Sequence, residues 1–143
     1  MGVRLIPSIT VAGGKAREAI AFYEKALGGK SIGIVSYGDM PSDPQHPIPA
    51  EAENLVAHTM IEIGEGALIV NDAYPGQPVQ KGDQVTICIM PANADDARRM
   101  FDALKEGGEV EMPLEATHWS PAFGVVKDRY GVTFMISAQA AGG

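Results

Sequence analysis

The chain has 143 residues, the length of one ordinary domain or of two small fused units, and 45% of them are hydrophobic. Its formal net charge is −7, and its 11 lysine and arginine residues form no basic run. Because phosphate binding needs a basic face, this composition argues against nucleic acid and against a membrane as partners. The single cysteine, Cys88, excludes an intramolecular disulfide and a zinc site built from several cysteines.

The sequence predicts a soluble, cytoplasmic protein. A single cysteine fits a reducing compartment. The N-terminal residues lack the apolar core of a signal peptide, and no apolar run is long enough to span a bilayer.

Residues 3–38 predict a strand, a helix and a second strand. The stretch VRLIPSITV (3–11) is rich in β-branched residues, which favours a strand. In GGKAREAIAFYEKALGG (13–29) the apolar residues fall on one helical stripe, and two glycines end the helix. The next stretch, KSIGIVSYG (30–38), predicts the second strand.

A loop and a hairpin complete the first half. Residues 39–54 contain four prolines and almost no apolar periodicity, which predicts a long loop that is either functional or mobile. The stretches LVAHTMIEI (55–63) and ALIVNDA (67–73) flank a glycine-rich turn and predict a hairpin. A second Pro/Gly-rich stretch, residues 74–83, predicts a linker near the middle of the chain.

The second half predicts the same order of elements. QVTICIM (84–90) reads as a strand, and NADDARRMFDALKEGG (93–108) as a helix with Asn93 as its N-cap. Three further strands are predicted at EVEMPLEA (109–116), AFGVVKD (122–128) and VTFMISA (132–138). The chain therefore reads βαβββ, linker, βαβββ.

The two halves also match in detail, which indicates an internal repeat. A shift of 78 residues pairs the helical stripes, and it places Ser8 on Thr86. A shift of 65 residues aligns the hairpin 59–73 with 124–138 without a gap, and it places Val70 on Met135. The alternative is two unrelated α+β halves.

This order, with the texts EAIAFYEKALGG, AHTMIEIGEGALIVNDA and GVVKDRYGVTFMIS, resembles the vicinal oxygen chelate superfamily of glyoxalase I, bleomycin-resistance proteins and extradiol dioxygenases. It resembles the PhnB-like branch in particular. The resemblance implies an α+β fold in a single domain, residues 1–143, with module 1 at about 3–73 and module 2 at about 84–139. It implies that the two βαβββ modules form a curved mixed sheet around a cleft, with the helices outside. It also implies a homodimer.

The resemblance implies where a metal would sit. The metal enzymes of the superfamily take one ligand, a His, Gln or Glu, from the first and from the last strand of each module. The corresponding positions in this chain are Ser8, Val70, Thr86 and Met135. Because none of these is a hard-metal ligand, the usual metal site is expected to be missing. The assignment depends on register, since a slip of one residue moves every side chain to the other face.

Two residues are the candidates for catalysis. Strand alternation places His58 on the same face as Met60, which in this fold would line the cleft. The same argument places Asp72 beside Val70, toward the cleft mouth. His58 and Asp72 could form an acid/base pair or hold a metal in a nonstandard site. They could equally be a hydrogen-bonded strand histidine and an aspartate that closes a turn.

Eight residues are predicted to contact a small molecule in the cleft. They combine hydroxyl groups, aromatic rings and apolar side chains, which suit planar or amphipathic molecules. They are Ser8, Tyr37, Met60, Val70, Thr86, Trp119, Phe123 and Met135. Each could instead be an ordinary core residue or, for Trp119, a strand-edge anchor.

Three other reactive residues are expected to have lesser roles. His46 lies among prolines and is expected to be exposed, while His118 enters a strand beside Trp119. Cys88 lies in a strand that reads as buried, where a small apolar filler is favoured over a nucleophile.

These observations favour a protein that binds a small organic molecule without a cofactor. The alternative is a lyase, isomerase or dioxygenase that uses a divalent metal ion held by His58, Asp72 or His118 in a nonstandard site. A purely structural dimer is the third class. No nucleotide-binding or hydrolase motif occurs, and no strand is followed by the glycine-rich loop of a methyltransferase.

Overall fold

The computed structural model describes residues 2–41, 43–82 and 84–140. These residues form two compact units, and the chain passes from the first to the second between Gln80 and Lys81, within the predicted linker. Each unit has one helix and one four-stranded mixed sheet, with the elements in the order βαβββ. The α+β fold class and the two-module organisation are therefore confirmed.

The first unit contains strands β1 (Ser8–Val11), β2 (Lys30–Ser36), β3 (Val56–Ile63) and β4 (Gly66–Asp72), with helix α1 (Ala16–Leu27) after β1. The strands lie in the order β1-β4-β3-β2. Strand β1 runs parallel to β4, and the other neighbours are antiparallel. The connection between β2 and β3 includes two short 3-10 turns, Tyr37–Asp39 and Ala50–Ala52, so β2 ends two residues before the predicted strand does.

The second unit repeats this topology. It contains strands β5 (Ile87–Ile89), β6 (Glu109–Glu115), β7 (Phe123–Lys127) and β8 (Thr133–Ser137), with helix α2 (Ala94–Leu104) after β5. The strands lie in the order β5-β8-β7-β6, with β5 parallel to β8. Neither helix is long and apolar enough to cross a membrane, as far as the described residues go.

Each helix packs one face of its own sheet through the predicted apolar stripe. Tyr23 in α1 and Phe101 in α2 are both buried, and the 78-residue shift places one on the other. Removing an aromatic side chain of this size from water stabilises a fold by about 1.5–3 kcal/mol. The helix repeat is therefore confirmed by packing.

The two helices begin in different ways. In α2 the predicted N-cap, Asn93, is confirmed, because its side chain accepts a hydrogen bond of 2.8 Å from the Asp96 N–H. In α1 the N-cap residue is Lys15, whose side chain makes no capping hydrogen bond. The cap of α1 comes instead from Asp72 at the end of β4.

The carboxylate of Asp72 joins three segments of the first unit. One oxygen accepts the N–H of Ala16 at 2.9 Å, at the start of α1. The other accepts the N–H of Val56 at 2.8 Å, at the start of β3. Asp72 is only 2% exposed, and a negative charge at a helix N-terminus is favourable. The carboxylate therefore holds α1 and β3 at the end of β4.

Two glycines let the chain turn closely against each sheet after its helix. A Cβ atom on Gly29 would lie 2.7 Å from Ile61 and 2.9 Å from the carbonyl oxygen of Glu62. A Cβ atom on Gly108 would overlap the carbonyl oxygen of Lys127. Both approaches are too close for any larger residue.

The hairpins of the two units differ in register by one residue. In the first, Ile63 faces Gly66 across a two-residue turn, whereas in the second Lys127 faces Thr133. A shift of 65 aligns β3 with β7, but a shift of 66 is needed to align the buried residues of β4 with those of β8. The ungapped alignment of the two hairpins is therefore wrong beyond the turn, because the second loop is longer.

Replacing Asp72 with asparagine is expected to destabilise the protein by about 2–4 kcal/mol. The amide offers one acceptor where two backbone donors need partners, and hydrogen bonds to buried charges are worth about 1.5–3 kcal/mol each. Urea unfolding followed by circular dichroism measures the change. Asp102→Asn is the matched control, because Asp102 pairs with Arg98 and Lys105 at the surface and should matter by less than about 1 kcal/mol. Equal effects of the two substitutions would contradict the role given to Asp72.

Candidate functional site

Each sheet has one face packed on its own helix and one face turned away from it, here called the open face. On the open face of the first sheet, one row crosses all four strands. It consists of Ile32, Met60, Ile69 and Ser8, each the cross-strand partner of the next. This places the predicted residues Met60 and Ser8 on the same face, in an apolar row that ends in a hydroxyl group.

Polar groups lie next to this row. Thr10 and Asn71 are partners in the parallel ladder of β1 and β4, and the Thr10 hydroxyl donates to the Asn71 side-chain oxygen at 3.2 Å. His58 is exposed and faces Val35 of β2. Asn71 is half-buried, and sequence reasoning missed it because the alternation of β4 was assigned to the wrong face.

The prediction that Val70 and Asp72 face the cleft side is wrong. Val70 is fully buried and Asp72 nearly so, and the Asp72 carboxylate reaches the first residue of α1. Both side chains therefore lie on the helix-packed face, whereas His58 lies on the other. The structure does not bring His58 and Asp72 together as an acid/base pair or as two ligands of one metal.

Tyr37 lies just beyond the end of β2, not within the open-face rows. Its ring meets that of Tyr74 edge to face, with centroids 5.0 Å apart and an interplanar angle of 80°. Both tyrosines are half-buried. Tyr37 therefore lies beside the aromatic residue that follows β4, at one end of the first sheet.

The open face of the second sheet carries a row of sulfur-containing and apolar side chains. Met112, Val125, Met135 and Cys88 follow one another across β6, β7, β8 and β5 as cross-strand partners. Met112 is 50% exposed, and Cys88 is exposed as well. This row contains the predicted residue Met135 and is apolar from one edge of the sheet to the other.

An aromatic pair lies one step along the same face. Phe123 is the cross-strand partner of Ser137, next to the row that contains Met135. The Trp119 ring meets the Phe123 ring at 5.3 Å between centroids and at 73°. Trp119 remains 60% exposed. The structure therefore brings together three predicted residues, Trp119, Phe123 and Met135, on one face of one unit.

The turn that carries Trp119 is held by hydrogen bonds. The Thr117 hydroxyl accepts the N–H groups of Trp119 and Ser120 at 3.3 and 3.2 Å. Ser120 is buried, and its hydroxyl donates to the Ala138 carbonyl oxygen at 2.7 Å, just after β8. This turn is fixed to the end of the sheet, so the position of the exposed indole is set by the fold.

The remaining candidate residues are exposed and lie apart from these rows. Thr86 precedes β5 and is exposed, on the side that alternation gives to Cys88. His46 is exposed in the long loop, as expected, and His118 is exposed beside Trp119. The structural equivalent of Ser8 is Cys88, not Thr86, because Ser8 faces Ile69 as Cys88 faces Met135.

Cys88 is exposed, which corrects the prediction of a buried apolar filler. Its apolar neighbours nevertheless exclude part of the solvent, and this desolvation raises the pKa of the thiol above its ordinary value. A thiol with a raised pKa is mostly protonated at neutral pH, and the thiolate is the nucleophilic form. The site therefore does not activate Cys88 as a nucleophile.

The residues at the open-face positions do not fit a hard divalent metal. The first and last strands of the two units present Ser8 with Ile69, and Cys88 with Met135, at equivalent positions. Such ions require several oxygen or imidazole donors. Within the described part of the chain, no group of three or more His, Cys, Asp or Glu side chains could hold a metal ion.

Comparison with solved structures supports the fold. A protein from Pseudomonas aeruginosa, PA1353, is 31% identical with a TM-score of 0.84 over 96% of this chain and 98% of its own. The PhnB protein from Bacillus cereus, described as a putative 3-demethylubiquinone-9 3-methyltransferase, is 21% identical with a TM-score of 0.75 over 95% of this chain and 99% of its own. FosX from Listeria monocytogenes, solved with Mn(II), is 12% identical with a TM-score of 0.64 over 99% and 95% of the two chains. At these lower identities the likeness to PhnB and FosX shows the fold alone.

Comparison of sequences identifies the family. Protein YjdN of Escherichia coli K12 is 31% identical to this chain over 93% of each protein. The family model of the Glyoxalase/Bleomycin resistance protein/Dioxygenase superfamily matches residues 5–136. The chain belongs to the Glyoxalase/Bleomycin resistance protein/Dioxygenase superfamily.

Proposed function

We propose that this protein binds a small organic molecule on the open face of the second sheet, without the divalent metal used by the metal enzymes of its superfamily. The observation that carries the proposal is the exposed indole of Trp119, packed edge-on against Phe123 beside an apolar row. Large apolar side chains exposed together mark binding surfaces more often than isolated ones do.

The energetics of this face favour a ligand with an apolar body. Each Å² of apolar surface removed from water contributes about 25 cal/mol, and Trp119 and Met112 both have large exposed areas to cover. Methionine side chains are flexible and polarisable, so Met112 and Met135 can adapt to ligands of different outline. The fixed turn around Trp119 reduces the ordering cost of binding.

The open face of the first sheet supports the proposal less strongly. Its row runs from the apolar Ile32 to the hydroxyl of Ser8, and Thr10, Asn71 and His58 add polar groups, but none of the residues described on this face is an exposed aromatic one. His58 belongs to this first face and has no part in the site proposed on the second sheet. The homodimer implied by the family resemblance and the cytoplasmic location inferred from the composition remain predictions.

The enzyme alternative places a divalent metal ion at His58, Asp72 or His118, and the position of Asp72 does not favour it. Asp72 accepts two backbone N–H groups on the helix-packed face of the sheet. Its carboxylate therefore stabilises the fold and does not pair with His58.

Binding is expected to change the fluorescence of Trp119, which is the sole tryptophan of the chain. Titration with small planar aromatic alcohols, amines and carboxylates should identify ligands. These ligands should also raise the melting temperature, because binding increases the free energy of unfolding by RT ln(1 + [L]/Kd). Phe123→Ala should weaken binding by about tenfold or more, because the ring supports the indole. Met60→Ala, on the other sheet, is the control and should change affinity by less than about twofold. If neither measurement detects a ligand, the result would favour the purely structural class.

Metal analysis tests the proposal that the protein binds its ligand without a divalent metal. Protein purified without chelator is expected to contain far less than one equivalent of manganese, iron, nickel or zinc, because the open-face positions lack suitable donors. A stoichiometric metal that is lost in His58→Ala would contradict the proposal and support the enzyme alternative. His58 is exposed, so the substitution should leave folding nearly unchanged.

The Cys88 thiol is expected to react slowly with iodoacetamide at neutral pH, although it is exposed. Desolvation raises its pKa in the folded protein, so the reactive thiolate becomes abundant only at a higher pH than in the unfolded chain. The pH dependence of alkylation, measured by mass spectrometry with and without urea, should show a higher midpoint for the folded protein. A lower midpoint in the folded state would indicate an activated thiol instead.

A further inference from the structure

The proposed binding face also contains the carboxylate of Glu115. Glu115 ends β6 and is the cross-strand partner of Phe123. The preceding residue, Leu114, is buried, and its carbonyl oxygen accepts a hydrogen bond from Arg98 of α2. Alternation then directs Glu115 to the open face, on the same side as the Phe123 ring.

Glu115 is exposed and free to meet a ligand. Among the residues that the structure describes, no basic side chain lies within 4.0 Å of it. Glu111 on the same strand differs, because its carboxylate lies 4.0 Å from the Lys127 ammonium. The unpaired Glu115 carboxylate therefore lies beside Phe123, whereas the paired Glu111 lies further along β6.

The aromatic pair has the geometry to receive a positive charge. The faces of aromatic rings are negative, and tryptophan gives the strongest attraction for a cation within about 6 Å. The planes of Trp119 and Phe123 meet at 73°, and the indole is 60% exposed. A cation near these rings would be attracted both by a ring face and by the Glu115 carboxylate.

The surrounding charge disfavours an anionic ligand. The strands of the second sheet carry three glutamates, Glu109, Glu111 and Glu115, against one cation, Lys127. The whole chain has a net charge of −7. An anion approaching this face would be repelled, whereas a cation would be attracted over about a Debye length.

We propose that the ligand class of this face is an organic cation with an apolar body, such as a substituted or quaternary ammonium. Trp119 and Phe123 contact the cationic carbon–nitrogen group, Glu115 balances its charge, and the row from Met112 to Cys88 covers the apolar body. This inference rests on the proposed function, because it names the ligand class of the same site.

The test uses the full chain and the fluorescence of Trp119. Three probes of similar size are titrated: benzyltrimethylammonium, neutral benzyl alcohol and anionic phenylacetate. The cation is expected to bind about tenfold more tightly than the alcohol, with phenylacetate weakest. Its affinity is expected to fall as the salt concentration rises.

Two variants separate charge from apolar contact. Glu115→Gln is expected to weaken the binding of benzyltrimethylammonium by about three- to fivefold while changing the binding of benzyl alcohol by less than about twofold. Glu111→Gln is the matched control and should change either affinity by less than about twofold, since Glu111 already faces Lys127. Both residues are exposed, and circular dichroism verifies that the variants fold.

The outcomes are distinguishable. Equal affinity for the three probes, or no effect of Glu115→Gln, would overturn the cationic class and leave the proposed small-molecule site standing. No response of Trp119 to any of the three probes or to the aromatic compounds above would overturn both.

Discussion

The carboxylate of Asp72 is the interaction on which the geometry of the first unit depends. It ends β4, caps α1 and holds the first residue of β3, so one buried charge joins three segments that are far apart in sequence. Because both oxygens accept backbone N–H groups, the charge is compensated where it is buried. A side chain that reads as a catalytic candidate in the sequence therefore serves the fold.

In the second unit, residues nearby in sequence hold the start of α2, without a carboxylate equivalent to Asp72. At the position equivalent to Asp72 it has Ala138, which cannot accept a hydrogen bond through its side chain, and α2 is capped by its own Asn93. The end of β8 is held by the buried hydroxyl of Ser120, which also fixes the turn that carries Trp119. The internal repeat thus preserves topology while the polar contacts differ, and the second unit also carries the exposed indole of Trp119.

The two open faces consequently differ in chemistry. The first combines an apolar row with hydroxyl, amide and imidazole groups, whereas the second combines sulfur-containing, aromatic and carboxylate side chains. Membership of the Glyoxalase/Bleomycin resistance protein/Dioxygenase superfamily accounts for the scaffold. Function has to be argued from the side chains that the scaffold presents, because one fold supports several chemistries.

The sequence by itself determined the order of elements, the helix stripes with Tyr23 and Phe101, the Asn93 cap and the face of β3 that carries Met60. These are local properties, set by side-chain periodicity and by turn and cap chemistry within a few residues. Only the tertiary structure decided the register of the hairpins, because a longer loop in the second one shifts β8 by one residue relative to β4. Because strand side chains alternate with a period of two, this one-residue difference places Val70 and Asp72 on the buried face and not on the open face that the sequence predicts. Glu115 likewise became a candidate only when pairing across β6 and β7 placed it beside Phe123, a contact that no pattern along the chain specifies.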